Sequence, residues 1–244
     1  MKSKESYSTF TQKLEQIKSK ITEQISEPEN GREPIYDGSI NPEKYFNSKV
    51  KVAWLLKEGY CGENGIGGDW SYTDVYDKEN LYESLIKHIS SKATWFPVVY
   101  VSYAILNGHK CYDDMDYIKD DPSMVQVMRE IAVVNAQKLP ARQHTSTDLG
   151  DIVESINKYG DIIKEQVDIL NPDILIGAST MKLYTDLFGL NPDDRKTLGS
   201  VNYWIKQDKL YVDAYHPNQR SIDRTTYVDD ILCVVEEYLN AIKN

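Results

Sequence analysis

Side chains able to do chemistry gather in this 244-residue chain wherever an apolar run ends. The sharpest case is Asp213-Ala214-Tyr215-His216-Pro217-Asn218-Gln219-Arg220, which closes the apolar run from Leu210. Proline disfavours the α region for the residue before it, so His216 is expected to project from a strand end into a cleft. A second case is Lys57-Glu58-Gly59-Tyr60, where Glu58 is the one acid; a glycine-rich stretch follows, ending at Asp69 and Trp70. The third is Asn135, closing EIAVVN, whose amide both donates and accepts. A histidine can donate a hydrogen bond where negative charge develops. Carboxylates such as Glu58 or Asp69 can stabilise a cation or orient water.

The elements that must hold these residues follow from hydrophobic spacing. Phe10, Leu14, Ile17 and Ile21 predict an amphipathic helix over 7–26, and the Pro- and Gly-punctuated segment 27–48 reads as a linker. The core is expected to begin at Lys49. Apolar runs at 50–56, 130–135, 173–177 and 210–214 read as buried strands. Helices are expected over 79–91, 94–106 with Pro97 in the first turn, 152–170, 179–188 capped by Ser179 or Thr180, and 224–242. Alternation of buried strands and helices predicts an α/β fold: a three-layer αβα sandwich around a four-stranded, mostly parallel sheet. Residues 1–48 are then an extension and 49–244 the catalytic domain. Ligands of such sheets bind outside the carboxyl ends of the strands, which selects 57–70, 135–144, 177–182 and 214–224.

Composition narrows the partners. With 28 Lys and Arg against 38 Asp and Glu the net charge is −10, so a global basic footprint for nucleic acid is absent. Any DNA contact must use a local rim, for which Lys138, Arg142, Lys182, Arg220 and Arg224 fall at the strand ends, with Asn218 and Gln219 beside them. Three scattered cysteines fit a reducing cytoplasm rather than a disulfide framework. Four histidines form no metal-ligand spacing, and neither metal nor cofactor is expected. No apolar run is long enough to span a bilayer, and the start of the chain lacks the apolar middle of a signal peptide. A monomer without membrane association is expected.

A strand running into His-Pro-Asn-x-Arg near the end of a four-stranded parallel chain resembles the last motif of the uracil-DNA glycosylase superfamily. Other parts fall in that family's order: Lys57-Glu58-Gly59-Tyr60 after the first strand, Asn135 at the end of the second, and Asn171-Pro172-Asp173 before the third. The resemblance covers about 49–244. It implies a monofunctional DNA glycosylase that flips a pyrimidine out of DNA and hydrolyses its N-glycosidic bond. His216 would assist the departing base and Asn135 would read its edge. Gly59, Tyr60, Trp70 and Tyr72 would line the base pocket, and Arg220 would fill the vacated stack or grip a phosphate. The chain departs from the family at Gly59, where the best-known branch has a water-positioning Asp, and at Tyr60, where Pro is usual. The insertion Cys61–Trp70 gives room for a bulky, even glucosylated, pyrimidine, so uracil removal in repair and modified-base removal in phage defence both stand.

Plainer readings stand beside these. Asn135 can cap a turn, Gly59, Gly62, Gly65, Gly67 and Gly68 can serve only turns, and His144 can be merely exposed. The glycines could instead cradle a nucleotide or S-adenosylmethionine in a transferase, although their spacing is not G-x-G-x-x-G. An acidic DNA mimic would place acids, not these cations, at the strand ends.

Overall fold

The computed structural model describes residues 6–61, 65–86, 89–142 and 147–242; Gly62 and His144 lie outside them. Helix α1 (Tyr7–Ile25) forms as its spacing predicts: Ser6 caps it by accepting the Thr9 N–H, and Phe10, Ile17, Ile21 and Ile25 are buried. The segment after it is more than a linker. It holds β1 (Ile35–Tyr36), β2 (Gly38–Ser39) and α2 (Pro42–Asn47). Ile35 and Ile40 join the main core, which therefore begins before Lys49.

The sheet strand β3 (Val52–Glu58) follows, then β4 (Trp70–Ser71), α3 (Tyr72–Tyr76), α4 (Leu81–Ile86) and α5 (Ile89–Asn107). Pro97 lies inside α5, not in its first turn. A proline there removes one N–H, which leaves the Ala93 carbonyl without its helical donor. Strand β5 (Ala132–Gln137), α6 (Leu149–Leu170) and β6 (Ile174–Ala178) come next, and Asn171 ends α6 in the left-handed region at φ 48°. The helix expected over 179–188 is shorter. A 3-10 turn at Met181–Leu183 precedes α7 (Thr185–Phe188), because the Thr180 hydroxyl bonds the Leu55 carbonyl at 2.6 Å instead of capping a helix.

The chain closes with β7 (Lys196–Leu198), β8 (Val201–Lys206), β9 (Lys209–Ala214) and α8 (Arg224–Ala241). Gln207 and Asp208, at φ 51° and 59°, form the two-residue turn that joins β8 to β9, the left-handed pair such hairpins require.

The main sheet has seven strands in the order β2-β5-β3-β6-β9-β8-β7, rather than four. The four expected strands, β5-β3-β6-β9, are parallel; β2, β8 and β7 add antiparallel edges. A small parallel pair, β1 with β4, lies apart. Successive strand residues face opposite sides. Trp54 and Leu56 pack with Val98 and Val101 of α5 and Ile231 and Val235 of α8. Ala53 and Leu55 pack with Ile156 and Ile163 of α6 and with Phe10 of α1. Helices thus cover both faces. Among the described residues no helix is long and apolar enough to cross a membrane.

Candidate active site at the parallel strand ends

The chain leaves β3 towards β5 on one side, and leaves β6 towards β9 on the other. The crevice between β3 and β6 is therefore the switch point at which such sheets bind ligands. Gly177 makes the turn there possible: a Cβ on it would stand 2.7 Å from the Met181 backbone nitrogen. Ser179 follows in the left-handed region at φ 62°. In that pose its N–H donates to the Ala214 carbonyl at 2.8 Å and its Oγ accepts the His216 N–H at 2.9 Å.

His216 is half-buried and closely held. Its carbonyl accepts the Gln219 N–H at 2.9 Å, and its Nδ1 accepts the Asn218 N–H at 3.2 Å. Burial, aided by the Lys57 charge, lowers the imidazole from 6.5 to about 4. The ring is then neutral at pH 7. With Nδ1 accepting, the proton sits on Nε2, leaving a donor for an incoming oxygen.

Glu58, at the end of β3, has both carboxyl oxygens buried without a hydrogen-bond partner at ordinary geometry. Burial raises its pKa; the Thr147 hydroxyl, the Lys57 ammonium and the Tyr60 hydroxyl act in the opposite sense without cancelling it. Lys57 therefore influences both Glu58 and His216.

Asn135, at the end of β5, is 0 % exposed. Its N–H donates to Asp37 Oδ2 at 2.8 Å and its Nδ2 to the Tyr72 hydroxyl at 2.9 Å, while Oδ1 is buried without a partner. Tyr72 stacks on Trp70 with centroids 5.7 Å apart and meets Tyr76 and Trp95 edge-on. Tyr72 is thus packed among aromatic rings and stands against the Asn135 amide.

Lys138 does not belong to the rim. It is 1 % exposed, with Nζ 2.5 Å from Asp37 Oδ1 and 2.7 Å from Gln166 Oε1. Burial lowers its pKa while Asp37 pulls it up. The reason is tertiary: the residue between β1 and β2, Asp37, is brought to the end of β5, where an unpaired charge would be costly. Gln219 is also occupied, its side chain bonding Ile222 O and Ile222 N at 2.9 Å each to shape its own turn.

Arg142, Lys182, Asn218, Arg220 and Arg224 are exposed. Arg142 borders a narrow groove beside Gln137 and Lys158. Lys182 stands by Asp213, whose carboxyl burial raises and the Lys182 charge lowers. Arg224 lies 5.7 Å from the Tyr100 ring and, with Pro97, Pro217 and Asn218, lines a cavity of about 200 Å³.

The insertion after β3 turns towards the start of the chain. Gly68, at φ 114°, passes so close to Glu33 that a Cβ would stand 1.9 Å from its carbonyl oxygen. The Glu33 N–H donates to Gly67 O at 2.8 Å, and the Asp69 N–H to Pro34 O at 3.0 Å. Asp69 itself is exposed, in the left-handed region at φ 55°. Gly59 is buried against Ile35, and Tyr60 is 46 % exposed.

Sequence reasoning missed Asp37 and Thr147, which carry no local signal, and undervalued Ser179, which follows directly on a strand. Among the described residues no group of three or more His, Cys, Asp or Glu could hold a metal. No family model matches the chain, and no curated protein matches it.

Proposed function

We propose that the chain is a DNA glycosylase of the uracil-DNA glycosylase superfamily, acting on an extruded pyrimidine in base-excision repair or phage defence. One observation carries the reading: His216 ends a parallel strand as a neutral imidazole, its Nδ1 occupied and its Nε2–H available. In the reaction the C1′–N bond breaks and its electron pair stays with the base. The Nε2–H donates to a base oxygen as negative charge develops there, at no cost of reorganisation. Water adds its oxygen to C1′ and releases a proton to the Glu58 carboxylate. A carboxyl with a raised pKa suits that acceptance, because its basicity is then closer to the working pH. Asn135 reads the base once Tyr72 gives way, and its unpartnered Oδ1 then gains a donor.

Both classes of pyrimidine remain within this proposal. Trp70 brings the end of the insertion to Asn135 by way of Tyr72, which supports contact with the base. The described glycines before it approach the chain's own backbone and side chains: Gly65 meets Ala141, Gly67 meets Cys61 and Gly68 meets Glu33. That packing favours the glycosylase reading over a phosphate-binding loop.

The test is base release from oligonucleotides carrying uracil, hydroxymethylated or glucosylated pyrimidines. Free base and an abasic site should appear on at least one of them. Absence of release from every member, in both strand forms, counts against the proposal.

A further inference from the structure

Tyr215 stands between Ala214 and His216, both hydrogen-bonded to Ser179. The Ala214 carbonyl before it accepts the Ser179 N–H at 2.8 Å, and the His216 N–H after it donates to Ser179 Oγ at 2.9 Å. Its own carbonyl accepts the hydroxyl of the buried Tyr227 at 3.0 Å. The backbone is thus pinned on both sides and in the middle. The ring is not. It is 44 % exposed, and among the described residues it makes no ring contact and its hydroxyl no hydrogen bond.

By period-two alternation Tyr215 continues the side of β9 that carries Tyr211 and Asp213. Tyr211 is covered, its ring 5.7 Å from that of Phe188. Tyr215 lies past the last paired residue of the strand, Ala214, where that covering layer has ended. Burying the ring would suit stability, so its exposure on a rigid backbone calls for another use. A flat ring with two side-chain torsions, on a backbone already ordered, loses little entropy when a partner stacks on it. The partner that fits is a nucleobase, whose face any aromatic ring accepts. Exposed Lys182, Asn218 and Arg220 supply charge and polar groups for adjoining phosphates in an otherwise acidic chain.

We infer that Tyr215 is a DNA-contacting residue that stacks on the nucleotide next to the one presented to His216. The inference rests on the glycosylase reading and adds to it a contact outside the base pocket.

A short duplex holding a tetrahydrofuran abasic analogue, with 2-aminopurine as the neighbouring base, is the probe. Wild type and Tyr215→Phe should bind it and change the 2-aminopurine emission to the same extent. Tyr215→Ala should bind roughly ten- to hundredfold more weakly, without that emission change and with an unaltered melting temperature. Tyr215→Leu keeps apolar bulk but no π face, and should also lose the emission change. If Tyr215→Ala retains both affinity and emission change while wild type releases a base from the oligonucleotide panel, the stacking inference alone falls. If wild type neither binds the probe nor releases any base, the glycosylase reading falls and takes the inference with it.

Discussion

Ser179 Oγ accepts the His216 N–H at 2.9 Å, so a residue at the end of β6 sets the position of the histidine at the end of β9. The same residue donates its N–H to Ala214, and Thr180 beside it bonds β3 through Leu55. Three parallel strands are thereby tied at the end where the imidazole stands. Placement of the Nε2–H donor is a property of the sheet rather than of the loop alone.

His216 should not titrate near its ordinary value. Its folded pKa of about 4 lies below 6.5, so the unfolded chain binds the proton more readily. Stability from this group is complete above about 6.5 and is lost as pH falls towards 4. Protonating Nδ1 would set two N–H groups against each other at Asn218 and loosen the turn. Imidazole resonances followed by NMR should therefore stay unshifted from pH 8 to below 6. A midpoint near 6.5 would show an open ring. His216→Ala should slow single-turnover base release by roughly 10²–10³, as loss of one fixed donor does.

Glu58 carries the opposite sign. Its carboxyl pKa is raised by burial, so the folded chain holds its proton more tightly than the unfolded chain does. Its stability contribution is present below the ordinary carboxylate range and is lost as pH rises through the raised folded value. Glu58→Gln should then melt higher than wild type at pH 7, with the gain vanishing in acid, while base release collapses. Melting curves across pH together with single-turnover rates decide it. A Glu58→Gln variant that is both less stable and fully active would refute the assignment.

Asp37 and Lys138 form a buried pair under Asn135. Removing one partner strands a charge and should cost about 3–5 kcal/mol in urea unfolding. The double variant Asp37→Leu/Lys138→Met should recover much of the loss of either single change. Because Lys138 meets no solvent, Lys138→Met should leave the salt dependence of DNA binding unchanged, whereas a lost phosphate contact lowers that slope by about one.

Arg220 is exposed on the turn after His216 and Pro217, where the gap left by an extruded nucleotide would need filling. Arg220→Ala should reduce rates on duplex DNA more than on single strands, since a single strand leaves no gap. Equal losses on both forms would make Arg220 a simple phosphate contact.

The four parallel strands, the long helices α1, α6 and α8, and the strand-end position of His216 were legible in the sequence. Unbroken apolar runs and 3.6-residue spacing are local signals, and a proline restricts the residue before it wherever the chain lies. The β7–β8–β9 hairpins were not legible, because β7 has only three residues and the turn from β8 to β9 uses Gln207-Asp208 rather than a glycine pair. Lys138 looked like a rim cation because nothing near it in sequence announces Asp37, 101 residues away. By itself the sequence determined which residues end strands, and hence which chemistry is available at the crevice. Only the tertiary structure decided which of those groups are neutral, buried or free. Desolvation and ion pairing depend on what packs above a side chain, and here the N-terminal segment does that packing over Asn135, Lys138 and the glycine-rich loop.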